Sequence, residues 1–160
     1  MEKPNATEDN VTLTKNTPLS DILNITHACK CNSCSTGCKY GSGFLVEEDI
    51  AKIANFLGVT EKALKENFLE EVRKFNTKRF RPKILRNGKQ YGKCIFFDES
   101  IGCKIHEVKP LECKISMGCK PYGEQLSLWF MLNYFVNAND AESMREYATY
   151  LKVGGKTLKE

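Results

Sequence analysis

Eight cysteines fall into two groups, Cys29-x-Cys31-x2-Cys34-x3-Cys38 and Cys94-x8-Cys103-x9-Cys113-x5-Cys119, and they constrain this chain more than any other feature. Cysteines at this density either staple a small fold with disulfides or gather on a metal. The compartment decides between the two. The opening MEKPNATEDN has no cationic start followed by an apolar run, so the chain is expected to be cytoplasmic, without a signal peptide. Thiols kept reduced there favour metal ligation. The glycosylation-type triplets starting at Asn5, Asn10 and Asn24 are then chance products of an Asn- and Thr-rich segment.

The spacing suits ligation. Loops of two or three residues let neighbouring thiolates face one centre, and Gly37, Gly41, Gly43, Gly102 and Gly118 let backbone N–H groups turn toward anionic sulfur. The wide gaps of the second group imply ligands that converge from separate turns. Every cysteine except Cys34 has a lysine beside it in the chain: Lys30, Lys39, Lys93, Lys104, Lys114 or Lys120. Nearby cations lower a thiol's pKa and offset thiolate charge, although a lysine-rich chain places some beside cysteines anyway. The formal charge of +4 becomes +4 − 8 = −4 if all eight thiols ionise, so the basic pI is weak evidence for nucleic acid.

A chain of 160 residues, 41% of them hydrophobic, suits one domain with a modest core. Residues 1–18 read as a polar, disordered tail, and 19–160 as a single metal-binding domain in which 124–160 form a C-terminal helical pair. A short helix over Leu19–Ile25 is expected to be capped by Ser20 or Asp21. Cys29 to Gly43 lacks an apolar period and is predicted to be a loop. Glu47–Leu57 carries Ile50, Ile53, Ala54 and Leu57 on one face and stops at Gly58; Thr60 then caps a predicted helix through Phe75. Asn87-Gly88 between Ile84-Leu85 and Tyr91–Phe97 predicts a β-hairpin that carries Cys94 inward. Pro110 bars a long helix in the cysteine-punctuated stretch 101–120.

Glu124–Asn137 is apolar around most of its circumference, which predicts burial in the core or a homodimer contact through 124–137. Asp140 is expected to cap a last helix carrying Met144, Tyr147 and Leu151. The longest apolar run, Leu126–Val136, has 11 residues, short of the ~20 a membrane span needs. The predicted class is α+β: a small, mostly helical domain with one β-hairpin, organised around a cysteine-bound metal centre.

The run C-N-S-C-S-T-G-C (Cys31–Cys38), followed by F-L-V-E-E-D-I (Phe44–Ile50), resembles the start of a cysteine-cluster family of zinc- or iron-chelating proteins with a CxxCxxxCC-type motif. The run C-I-F-F-D-E-S-I-G-C-K-I-H-E-V-K-P-L-E-C (Cys94–Cys113) resembles its second half. The resemblance spans about Cys29 to Cys119 and implies metal binding through these cysteines. Some relatives are labelled iron–sulfur oxidoreductases, and a related motif occurs in a flagellin lysine methylase. This chain has Lys39 where the family usually doubles its cysteine, His106 in place of a Tyr, and Lys109-Pro110 in place of Arg-Pro.

The expected ligands are Cys31, Cys34, Cys38, Cys94, Cys103 and Cys113, with Cys29 and Cys119 at the edges of the pattern completing the set. Zinc usually takes paired short knuckles, and only Cys31-x2-Cys34 has that form, so an iron–sulfur cluster is preferred to zinc, as one or two [4Fe–4S] groups. The corresponding function is electron transfer, or part of an iron–sulfur oxidoreductase, with a redox or protein partner. A structural zinc module scaffolding a partner- or nucleic-acid-binding surface is the alternative. An accessory to protein lysine methylation rests on family analogy alone. His106 and His27 are expected to pack or face solvent. The stretch Lys74, Lys78, Arg79, Arg81, Lys83, Arg86 reads as a solvated hairpin edge sooner than a nucleic-acid footprint. No Ser-His-Asp set, phosphate-binding glycine loop or catalytic carboxylate pair stands out.

Overall fold

The computed structural model describes residues 11–26, 29–116 and 118–160. The disorder expected for 1–10 and the role expected of His27 lie outside the described residues. Seven helices run in the order α1 Leu19–Ile25, α2 Asn32–Tyr40, α3 Glu47–Leu57, α4 Glu61–Phe68, α5 Leu111–Ile115, α6 Gly123–Tyr134 and α7 Ala141–Lys152. Between α4 and α5 lie three antiparallel strand pairs, where the sequence predicts one hairpin: β1 Leu69–Lys74 with β2 Thr77–Pro82, β3 Ile84–Leu85 with β4 Lys93–Cys94, and β5 Phe97–Asp98 with β6 Gly102–Cys103. The class is α+β, as expected. No helix among the described residues is long and apolar enough to cross a membrane.

Two apolar clusters share the molecule. One gathers Leu13, Ile22, Leu111, Ile115, Leu126, Trp129, Phe130 and Phe135 around α6; the other gathers Ile50, Ile53, Ala54, Leu64, Leu69, Phe96, Phe97 and Ile105 around α3. The extended run Phe44–Leu45–Val46 separates them. Alternation sends Phe44 and Val46 into the first cluster and Leu45 into the second. Leu45 N–H donates to the Phe80 carbonyl at 2.8 Å, and Phe44 N–H to Glu112 Oε1 at 3.2 Å, which fixes this partition to both β2 and α5.

Several boundaries differ from expectation for identifiable reasons. Residues 11–18, assigned to the tail, lie against α6. Leu13 is buried, Leu13 N–H donates to Gln125 Oε1 at 2.9 Å, and Trp129 Nε1–H donates to the Thr17 carbonyl at 2.8 Å. α1 starts after Pro18, with neither Ser20 nor Asp21 as its cap. Thr60 does cap α4, accepting from Ala63 N–H at 3.0 Å. That helix ends at Phe68, however, and Leu69 opens a strand. Leu69 and Val72 continue the helical spacing of Leu64 and Phe68, but a six-pair ladder from Leu69↔Pro82 to Lys74↔Thr77 takes the backbone instead. Phe75 and Asn76 both hold positive φ, 49° and 55°, as a two-residue hairpin turn requires. The Asn87-Gly88 turn forms as expected, with φ of 47° and 80°, but its ladder is only Ile84↔Cys94 and Leu85↔Lys93. Asp140 caps α7 through Glu142 and Ser143 N–H.

Candidate metal centre

Cys31, Cys34 and Cys38 are spaced by three and then four residues, which places them on one side of a helix. The segment predicted to be a loop is α2. Cys31 is its N-cap at φ −67° and ψ 163°, Cys34 sits in the first turn and Cys38 in the last. The helix buries none of its residues, so no apolar period marks it; the cysteine spacing itself was the signal.

The start of α2 meets a turn that follows α5. Gly118 passes over the Ser33 carbonyl so closely that a Cβ there would lie 3.4 Å from the oxygen, and Cys119 follows immediately. The sulfurs of Cys29, Cys31, Cys34 and Cys119 all lie within 4.8 Å of one another. Cys34 Sγ stands 3.6 Å from Cys119 Sγ, and Cys31 N–H donates to Cys29 Sγ at 3.4 Å. Cys31 and Cys119 are exposed, Cys29 and Cys34 half-buried. The Cys34 N–H at the helix start, helped by hydrogen bonding among the neighbouring sulfurs, holds the Cys31 thiol down at about 7. Loss of solvent pushes Cys34 up to about 12. One ionised sulfur with protonated neighbours around it is what a tetrathiolate site looks like before a cation displaces the protons.

The remaining four cysteines come from four elements: Cys38 from the end of α2, Cys94 from β4, Cys103 from β6 and Cys113 from α5. All four line one cavity of about 560 Å³. Each of the last three accepts hydrogen from backbone: Cys94 from Phe96 and Phe97, Cys103 from Ile105, and Cys113 from Gly43. Gly43 has to be glycine for this approach, since a Cβ there would lie 2.5 Å from Cys113 Sγ. Burial raises all four thiols, Cys94 to about 12 and Cys113 well above the ordinary range. They are inner cysteines, where the first four are outer.

Sequence reasoning proposed eight ligands without dividing them. The structure interleaves the two sequence groups: three cysteines of the first join Cys119, and Cys38 joins three of the second. Cys29 and Cys119, the edge positions, both belong to the outer set. His106, half-buried with its pKa lowered by desolvation, lines a smaller cavity of about 290 Å³ but stands outside the outer set. Two contributors were missed. One is Gly43. The other is Lys109, only 8% exposed, whose Nζ donates to the Cys29 carbonyl at 3.4 Å. Its substitution for the family's Arg was the available signal. The basic stretch is largely spoken for: Arg81 and Arg86 pair with Glu70, Lys78 pairs with Glu71, and Arg79 donates to the Tyr134 carbonyl.

Residues 30–146 match the family model CxxCxxCC, described as a putative zinc- or iron-chelating domain. That span begins one residue after Cys29 and includes the other seven cysteines. No curated protein and no solved structure matches the chain.

Proposed function

The chain belongs to the CxxCxxCC family of zinc- or iron-chelating domains, and from that premise we propose that Cys29, Cys31, Cys34 and Cys119 hold one tetrahedral metal ion, zinc by preference, as a structural clamp. The observation that carries this is the mutual approach of four sulfurs within 4.8 Å. Metal–sulfur bonds of about 2.3 Å in a tetrahedron set sulfurs roughly 3.8 Å apart, and the Cys34–Cys119 pair stands at 3.6 Å. An iron–sulfur cluster spreads its ligands over several iron atoms and needs them farther apart.

Four protein thiolates close a zinc site, leaving no position for substrate, so the ion organises structure. It ties the start of α2 to the turn after α5, two segments some eighty-five residues apart in the chain. Lys30 and Lys120, beside these cysteines in sequence, add positive charge to a site whose thiolates outnumber the charge of the metal. The electron-transfer reading, with a redox partner, calls for iron as well. What favours it is the second set of cysteines around the larger cavity.

Metal analysis of protein purified without oxygen tests the clamp. Cys31→Ser and Cys119→Ser should each remove most of one zinc equivalent. Full zinc retention in both variants would remove the outer site from consideration.

A further inference from the structure

We propose that Cys38, Cys94, Cys103 and Cys113 form a second, inner centre that takes an iron–sulfur cluster, with buried Lys109 as its counter-charge. This rests on the reading of the chain as a thiolate metal protein and assigns the cysteines that the outer ion leaves over.

The first support is convergence. Four cysteines from α2, β4, β6 and α5 face one cavity of about 560 Å³, although they span residues 38 to 113. Apolar packing alone gives no reason for four thiols, from four elements, to meet there. The second is spacing. Among the described residues, only the outer four bring three or more such ligand atoms within 4.8 Å of one another. The inner sulfurs stand wider, as ligands of a polynuclear centre must, whereas a single ion would draw them together.

The third support is the supply of hydrogen-bond donors. Phe96, Phe97, Ile105 and Gly43 all direct backbone N–H groups at inner sulfurs, an arrangement that stabilises thiolate and raises the potential of a bound cluster. A neutral thiol packed as a small apolar group needs no such donors.

The fourth is Lys109. An ammonium 8% exposed is costly without a compensating anion, and among the described residues it pairs with no carboxylate. Its one hydrogen bond goes to the Cys29 carbonyl, so it stands between the outer and inner sets and lines the cavities on both sides. Cys38 and Cys103 both feel its charge. A cluster held by four thiolates is net anionic and supplies the missing partner.

The test uses the full chain, prepared without oxygen and reconstituted with zinc, ferrous iron and sulfide. Zinc, iron and acid-labile sulfide are then measured per chain. The Cys31→Ser/Cys119→Ser protein should lose zinc but keep iron, sulfide and the visible sulfur-to-iron absorption. The Cys94→Ser/Cys103→Ser protein should lose iron and sulfide but keep zinc, and that zinc doubles as evidence that the outer region still folds. Parallel loss of iron in both proteins would mean one shared site and overturn the proposal, as would wild-type protein that takes up no sulfide. Zinc retained in the first variant would instead overturn the outer clamp and leave the inner centre standing.

Lys109→Gln keeps every cysteine and serves where the inner variant fails to fold. Reduction adds an electron to the cluster, so removing a buried cation should shift its midpoint potential to more negative values, and Lys109→Arg should restore it. A potential unmoved by Lys109→Gln would overturn the counter-charge assignment.

Discussion

Asp49 Oδ2 accepts the Leu111 N–H at 2.9 Å while also accepting Val46 N–H at 2.9 Å, so one carboxylate joins the start of α3 to the start of the helix that carries Cys113. Asp49 is 4% exposed. Asp49→Ala strands two buried donors, and the expected loss is about 1–3 kcal/mol in urea unfolding of the metal-loaded protein. Asn at this position keeps an acceptor oxygen and should cost less. Burial raises the Asp49 carboxyl above its ordinary 3.8, so the folded protein holds this proton more tightly than the unfolded chain does. The residue's contribution to stability therefore declines as pH rises from the ordinary value through the raised one. Comparing unfolding of wild type and Asp49→Asn across that interval should show the decline only in the wild type.

Gly43→Ala tests the close approach at Cys113. The added methyl would lie 2.5 Å from Cys113 Sγ and 2.9 Å from the Cys113 nitrogen, and the backbone atom cannot rotate away. The substitution should cost on the order of 1–3 kcal/mol and lower metal content. Gly41→Ala is the control: its Cβ meets nothing within 4 Å, and metal content should stay at the wild-type level. Equal metal in both variants would separate Gly43 from the centre.

Legibility followed the kind of signal each residue carried. α3 was readable because Ile50, Ile53 and Ala54 repeat at helical spacing and Gly58 takes up φ 69° at its end. β1 was misread because Leu69 and Val72 fit a helix as well as a strand, and the deciding partner, Thr77–Pro82, has no strong alternation of its own. α2 was hidden for the opposite reason. It buries nothing, so hydrophobic periodicity, the strongest sequence signal, is silent there. The identity of the ligating residue type was plain in the sequence, but the pairing of Cys34 with Cys119 depends on the path from α5 back across Ser33, which spacing does not encode.

The basic hairpin edge gives a prediction in the opposite direction. Arg81 Nε lies 3.1 Å from Glu70 Oε1, and Arg86 Nη2 lies 3.0 Å from Glu70 Oε2, with the Arg81 and Glu70 side chains about one-fifth exposed. Arg81→Glu should cost on the order of 1 kcal/mol, and adding Glu70→Arg should restore part of it. Reversing Arg79, Arg81 and Lys83 together should leave metal content unchanged, as measured on purified protein. Loss of metal in that variant would place the hairpin's basic edge in the support of the centre.

Metal removal should act first on α2. A helix of nine residues is too short to hold itself in water, and this one has no buried side chain to hold it by packing. Its fixed points are Cys31 and Cys34 toward the outer sulfurs and Cys38 toward the inner ones. Ordering its backbone costs about 1–2 kcal/mol per residue, and ligation is the interaction on hand to offset that. After treatment with a chelator under reducing conditions, amides of α2, of the β3–β4 and β5–β6 pairs, and of residues 111–120 should exchange quickly. α3 and α6 bury Ile50, Ile53, Ala54, Leu126, Trp129 and Phe130 independently of the sulfurs and should stay protected, in a looser form. Hydrogen exchange on loaded and stripped protein makes the comparison directly. Equal protection of the α2 amides in both forms would mean that these cysteines are held by packing, and metal would no longer be needed to explain why the helix exists.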